Sequence, residues 1–401
     1  MNVDLTDRDG VRDLAGFYRR SLTEDVLPFW LRHGMDGERG GILSSLDREG
    51  NVIETDKAVW IQGRCAWTMS TAFLEMGRRP EWLEAARSCL DFLEAHCFDA
   101  DGRMFFRVSR EGAPVIKRLR YVFSETFAVI AMAAYARASG EARYAVRARE
   151  VFDLMNRTLE TPGVLTPKFD PDSRPSRGFA LPMILIATAQ ELRLARPQEA
   201  AELDAFIDAR IGEIERYFLC PEHRCVLEQC GPDGEFQGGH FEGRLLNPGH
   251  AIEGAWFILR EAQHRGGDAR LLRLGTTMLD WMWEWGWDKE HGGIIYFRDA
   301  LGLPASEYWH DMKFWWPQNE AIVAALYAFR LTGEESYARR FRMAHEWAHA
   351  RFPDREHGEW YGYLHRDGRV STTLKGNMYK GPFHVPRMQI LCTRLLSELL
   401  A

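Results

Sequence analysis

Long hydrophobic runs are missing from this 401-residue chain. The most apolar stretch, Phe127 to Ala136, is about half the length that a transmembrane helix needs, so a membrane protein is not expected. The opening segment MNVDLTDRDG has neither a basic n-region nor an apolar core, so no signal peptide is read and the expected compartment is the cytoplasm. Positive charge is not in surplus. Lys plus Arg is 51 against 58 for Asp plus Glu, a net charge of −7 with both signs interspersed, which argues against nucleic acid as a partner. Cysteine is scarce and odd in number, at seven, which fits reduced thiols better than a disulfide framework. Cys220, His223, Cys225 and Cys230 lie close together, but the C-x4-C-x4-C spacing is not the paired C-x2-C of zinc sites, and no metal is assigned. The chain also lacks GxxxxGK[ST], HExxH and GxSxG. Ser124 has no histidine near it in sequence, which leaves a serine triad unsupported.

What is present is a repeat. DGERGGILSSLDREG from Asp36, DKEHGGIIYFRDALG from Asp288 and DREHGEWYGYLHRDG from Asp354 share an opening Asp, a glycine four residues on, an apolar and aromatic run, and a closing glycine. Asp99 and Cys220 begin looser versions, and the double gap between them predicts a degenerate unit near residue 160. Each copy reads as a β-hairpin. Between the copies, helical apolar spacing recurs over about 11–33, 56–77, 80–97, 121–139, 141–159, 178–195, 198–218, 248–265, 268–286, 313–332, 334–352 and 383–400. Gly77, Gly140 and Gly333 sit where C-capping glycines belong. Twelve helices in six pairs predict an all-α fold, an (α/α)6 barrel with short hairpins in its connections, as one domain over 1–401; an open solenoid is the alternative.

In such a barrel the inner helices run parallel and their N-termini meet at one mouth. The second helix of each pair begins with reactive groups at five of six positions: Trp60 and Arg64, Glu125, Asn247 with His250 and Glu253, Trp316 and Glu320, and His384 with Arg387. The sixth, around Ala180–Met183, is apolar. Asn247 is a good N-cap and Pro248 suits the first helical position, which puts His250 in the first turn, where the helix dipole favours a neutral imidazole. Glu253 lies one turn on, placed to orient that imidazole or the sugar. His384 and Arg387 repeat the i, i+3 relation and offer a second imidazole with a guanidinium for a negative oxygen. Of fourteen tryptophans, most are assigned to the barrel wall and Trp316 and Trp60 to the pocket. Read bottom-up, Glu125, Glu253 and Glu320 also leave open a glycosidase-type carboxylate pair.

The segments VWIQGRCAW (59–67), FSETF (123–127), NPGHAIEGAWFILR (247–260), GWDKEHGGIIYF (286–297), MKFWWPQNEA (312–321), GEWYGYL (358–364) and KGPFHVPR (380–387) resemble the N-acylglucosamine 2-epimerase family, in the family's order. The resemblance implies an (α/α)6 barrel and inversion at C2 of an N-acylhexosamine. It maps the catalytic histidines onto His250 and His384, the essential arginines onto Arg64 and Arg387, and the essential glutamate onto Glu320. Glu253 falls where the family supports the first histidine. Glu125, Trp316, Asn247 and Trp60 complete the expected substrate contacts. No cofactor or metal is implied, although members activated by unconsumed ATP leave a nucleotide activator open, and a homodimer is open on general grounds. Animal members carry polar residues where this chain has Leu246 and Ala187, a difference expected near the mouth. A mannose-type aldose–ketose isomerase would use the same residues, and a binding protein without catalysis is the remaining alternative class.

Overall fold

The computed structural model describes residues 3–119 and 121–401. Its helices are α1 (Arg8–Arg20), α2 (Leu27–His33), α3 (Val59–Glu75), α4 (Pro80–His96), α5 (Phe123–Ser139), α6 (Ala142–Glu160), α7 (Ala180–Ala195), α8 (Ala200–Tyr217), the single turn α9 (Phe241–Arg244), α10 (Pro248–His264), α11 (Ala269–Gly286), α12 (Trp315–Thr332), α13 (Glu335–His349) and α14 (His384–Leu400). A π-helical turn, Ser21–Val26, joins α1 to α2. It lies just before Pro28, which has no N–H to give and whose ring crowds the carbonyl four residues back, so the widened turn keeps the helix going.

Helix α3 packs on α5, α5 on α7, α7 on α10, α10 on α12, α12 on α14, and α14 back on α3. That closes a ring of six. An outer helix backs each member: α4, α6, α8, α11 and α13 follow their inner partners, and α1 backs α14. Closure decides for the (α/α)6 barrel over the open solenoid. The composition of the helices explains the layering. Ser124 to Ala136 of α5 and Trp315 to Phe329 of α12 are buried without interruption, as a helix surrounded by others must be, whereas α1 buries only one stripe. Gly140 and Gly333 end α5 and α12 in the left-handed region at φ 80° and 72°.

The Asp-led repeats form the loops at one end of the ring. Asp36, Asp288 and Asp354 each accept the backbone N–H two residues on, and the glycine four residues on has φ between 71° and 78°. Each loop is closed by one bridge, Met35 to Ile42, Trp287 to Ile294 and Pro353 to Trp360. A fully buried lysine then meets each aspartate: Lys57 at 2.9 Å, Lys313 at 3.1 Å and Lys375 at 3.0 Å. An arginine from another loop completes each triad, Arg110 on Asp36, Arg366 on Asp288 and Arg48 on Asp354. The arginine hydrogen bonds hold Asp36 well below the usual carboxylate range. Burial pushes Lys313 down to about 8 despite its ion pair.

The hairpin expectation holds where residues 45–46 pair with 52–54, 107–108 with 114–116, and 363–364 with 370–372. It needs correction elsewhere. In the Asp288 copy, Arg298–Asp299 pairs with Leu245–Leu246 instead of folding back on its own loop. The degenerate unit forms turns until Arg177–Gly178, which pairs with Gln229–Cys230. Cys220 and Cys225 oppose each other at the base of a hairpin whose loop is Pro221, Glu222, His223 and Arg224, and the seven cysteines are buried free thiols.

Candidate active site

The N-termini of the inner helices open on a cavity of about 540 Å³. Trp60 and Arg64 of α3, Phe123 and Phe127 of α5, Ala180 and Met183 of α7, His250 and Glu253 of α10, Trp315 and Trp316 of α12, and His384 of α14 line it. Every inner helix contributes. Loops add Glu228, Tyr296, Trp309, Tyr363 and Tyr379.

Two imidazoles flank one indole. The Trp316 ring lies 5.1 Å from that of His250 and 5.9 Å from that of His384, tilted against both. Each histidine has a carboxylate at Nδ1. Glu320 Oε1 is 2.8 Å from Nδ1 of His384, and Glu228 Oε1 is 3.0 Å from Nδ1 of His250. A carboxylate can only accept, so each pairing favours the Nδ1–H tautomer and leaves Nε2 with its lone pair. Burial, then the neighbouring Arg387 charge, push the His384 pKa well below the usual imidazole value, so this ring is held neutral. His250 is also fixed through its backbone. Its N–H donates to Asn247 Oδ1 at 3.2 Å, so the cap that starts α10 also fixes the backbone from which the imidazole projects. The dipole of α10 works against an imidazolium there, whereas the Glu228 carboxylate favours one.

Behind His384 lies a buried charge network. Glu320 is 1% exposed; its Oε1 accepts from Arg387 Nη2 at 2.7 Å and its Oε2 from Trp256 Nε1 at 2.7 Å. The same guanidinium pairs with Glu253. Although burial opposes its charge, Glu320 and Glu253 hold the Arg387 pKa above its usual value. Glu253, Glu320 and His384 bring ligand atoms within 4.8 Å of one another, close enough for a metal, and Arg387 supplies the cationic charge at that point. Arg64 is held differently, stacked 4.6 Å from Trp60, 4.2 Å from Phe127 and 5.1 Å from Phe383, with Nη1 donating to the Tyr379 carbonyl at 3.3 Å. Its guanidinium faces the cavity.

The structure thus brings together Trp60, Arg64, Asn247, His250, Glu253, Trp316, Glu320, His384 and Arg387. Four expectations need correction. Glu125 is 1% exposed, binds Arg103 Nε at 2.5 Å and the Met104 N–H at 3.0 Å, and does not line the cavity. Glu253 pairs with Arg387 and Glu228 stands beside His250, so of the two roles expected for Glu253 the imidazole one is taken by Glu228, while Glu253 still lines the cavity where a sugar would lie. Arg387 stands behind His384 rather than facing the cavity. Leu246 is fully buried in a strand, and Ala187 lines a different cavity, so neither substitution is at the mouth. Of the carboxylates that suggested a glycosidase, Glu253 and Glu320 converge, but on Arg387. Sequence reading missed Glu228, Tyr296, Trp309, Trp315, Tyr363 and Tyr379. Glu228 sits two residues from Cys230 in a loose repeat copy, and nothing in its local pattern marks it as facing the mouth.

The family model for N-acylglucosamine 2-epimerase (GlcNAc 2-epimerase) matches residues 40–381. The chain is 39% identical over 386 residues to an N-acylglucosamine 2-epimerase of Bos taurus, covering 94% of this chain and 90% of that one. It is 34% identical over 388 residues to the Homo sapiens enzyme of the same name, covering 94% and 88%. In fold it is similar to the structure of cellobiose 2-epimerase from Spirochaeta thermophila, with a TM-score of 0.85 at 23% identity, covering 98% of this chain and 99% of that one.

Proposed function

The chain belongs to the N-acylglucosamine 2-epimerase family, a family of isomerases, and from that we propose that it interconverts N-acyl-D-glucosamine and N-acyl-D-mannosamine. The observation that carries the chemical reading is the pair His250 and His384, both in one cavity, on either side of Trp316, each with a carboxylate at Nδ1.

The proton at C2 of a hexosamine becomes removable once the ring opens and C1 is an aldehyde. One imidazole Nε2 takes that proton and leaves an enediol-type anion. The other histidine has to enter the step as an imidazolium with a proton on Nε2; it gives that proton to the opposite face, the configuration inverts, and the two imidazoles end with their protonation states exchanged. General acid–base catalysis of this kind contributes roughly 10²–10⁴-fold, so the anion needs electrostatic stabilisation as well. Arg64 faces the cavity and is the group placed to supply it, together with the positive ends of the six inner helices. Arg387 acts from behind, fixing Glu320 and through it His384. In this reading the enzyme is cytoplasmic and needs no cofactor, and a nucleotide such as ATP stays open as an unconsumed activator. Homodimerisation fits the base rate for soluble enzymes.

The test is proton NMR of the metal-stripped protein in D2O, with and without ATP, on N-acetylmannosamine, N-acetylglucosamine, mannose and glucose separately. Deuterium at C2 with the other N-acetyl epimer appearing is the expected result. Ketose formation from mannose alone would replace the epimerase reading with an aldose–ketose isomerase. Silence in every tube would leave a non-catalytic binder or an enzyme for a larger sugar. An unchanged rate on adding ATP would remove the activator.

A further inference from the structure

The last Asp-led loop departs from the other two at one residue. After the glycine four residues on, the first two copies carry a second glycine, Gly41 at φ 71° and Gly293 at φ 76°, whereas the third carries Glu359 at φ 56°. A side chain in the left-handed region is strained, and such a residue persists where its surroundings hold it. Glu359 is 1% exposed and its carboxylate accepts from three donors. Trp30 Nε1 reaches Oε2 at 2.5 Å, and the Trp360 N–H and Lys380 Nζ each reach Oε1 at 2.9 Å.

The bond from Trp360 has a structural explanation. In the first two copies the fourth residue of the following inner helix, Gln62 of α3 or Gln318 of α12, exchanges two hydrogen bonds with the loop backbone at Ile42 or Ile294. The fourth residue of α14 is Arg387, which is committed to Glu253 and Glu320. The Trp360 N–H therefore needs another acceptor, and Glu359 supplies it. That does not account for Lys380, since Asp354 already has its own lysine in Lys375.

Lys380 lies in an insertion. In the first two copies a single residue separates the triad lysine from its helix, Ala58 after Lys57 and Phe314 after Lys313; in the third, residues 376–383 stand between Lys375 and His384. The insertion forms part of the mouth, with Tyr379 and Phe383 in the cavity wall. Its carbonyls receive side chains of α3: Met378 from Trp60 Nε1 at 2.7 Å, Tyr379 from Arg64 Nη1 at 3.3 Å, and Pro382 from Thr68 Oγ1 at 2.7 Å. Besides Glu359, Lys380 Nζ donates to the Lys375 carbonyl at 2.7 Å, so one ammonium fastens the insertion to the loop and to its own start.

We propose that Glu359 and Lys380 are positioning residues for Arg64: their buried pair fixes the Tyr379 carbonyl, which holds the guanidinium toward the cavity. Neither group lines the cavity, so their effect on the reaction passes through the backbone of 376–383. The benefit to catalysis rests on the reading of Arg64 as the group that stabilises the anion.

The test is Lys380→Met, which keeps most of the stem and removes the ammonium. Turnover is measured on whichever sugar the wild type converts, at a temperature where circular dichroism shows the variant folded, and the variant is crystallised. The expected result is a kcat lowered about 10- to 100-fold with KM within a few-fold, since a misplacement of about 1 Å can cost about 10²-fold. In the crystal, the hydrogen bond from Arg64 to the Tyr379 carbonyl should be lost. Should Lys380→Met not fold, Glu359→Gly combined with Lys380→Met removes both charges together and restores the glycine of the other copies, and the same result is expected. An unchanged kcat per folded molecule, whatever the Tm, or an Arg64 contact intact in the variant crystal would overturn the proposal, as would failure of both variants to fold. The crystal readout needs no substrate, so a wild type silent on every sugar would sink the catalytic reading of the cavity while the Arg64 contact still decides this one.

Discussion

Glu228 presents its carboxylate to Nδ1 of His250 at 3.0 Å from a loop of the Cys220 repeat, not from the helix that carries the histidine. His384 gets the same contact from Glu320, on the neighbouring inner helix α12. The two bases therefore have like partners but different surroundings. The His250 side chain is 28% exposed and its partner 18%, whereas those of His384 and Glu320 are 10% and 1% exposed.

Glu228→Gln keeps the size of the side chain and removes its charge. With the tautomer of His250 no longer set by a carboxylate, kcat should fall by about 10- to 1,000-fold with KM within a few-fold, since a comparable loss in a serine triad costs about 10⁴. The check is kcat and KM across pH. An unchanged kcat would make Glu228 a bystander.

His250→Ala and His384→Ala should each lower epimerisation by at least about 10²–10⁴-fold. The informative readout is solvent deuterium. A variant that keeps one base can exchange C2 of one epimer without inverting it, so the two variants should label opposite epimers. Equal labelling of both epimers by either variant would argue against a two-base mechanism.

Arg387→Met leaves Glu253 and Glu320 as buried carboxylates without their cation. Removing one partner of a buried ion pair costs about 3–5 kcal/mol, and chemical denaturation should show a loss of that order together with inactivity. Arg64→Met should separate the two effects, with activity lost and stability lowered by about 1–2 kcal/mol, because this guanidinium is held mainly by ring stacking.

The His345 and His349 rings stack at 4.1 Å under the N-terminal helix, and Tyr18 Oη lies 2.6 Å from Nδ1 of His345. Burial lowers His345 to about 2 and His349 to about 4. Both folded values lie below the unfolded value of about 6.5, so only the unfolded chain takes up these protons as pH falls. Stability present above pH 6.5 should decline from there toward pH 4. A melting series over that range should be steeper for the wild type than for His349→Asn.

Much of this was legible in the sequence, because the inner and outer helices differ in pattern. The twelve long helices lie within a few residues of their expected limits, and His250 and His384 face one cavity because their helix starts are marked by Asn247–Pro248 and by the Pro382 to Pro386 segment. The misses have a common cause. Glu125 occupies a helix start like the others, yet Arg103 from the preceding loop captures it, and no local pattern reveals a partner that far away. The Asp repeats were visible, but the lysine of each triad comes from 21 to 25 residues further along the same connection and the arginine from another loop, so their ionic role was not. Glu228 escaped for the same reason.

The triad at Asp354 has a further meaning. Its arginine, Arg48, belongs to the first loop while the aspartate belongs to the last, and α1 packs on α14, with Arg8 donating to the Leu400 carbonyl. The ring is thus sealed by contacts between segments that leave the ribosome far apart in time. The earliest helix has to wait, its apolar stripe uncovered, until the latest one arrives. A nascent chain halted just before α14 would have every helix pair except the one that turns a row of hairpins into a barrel, and His384 and Arg387 arrive only with that final pair.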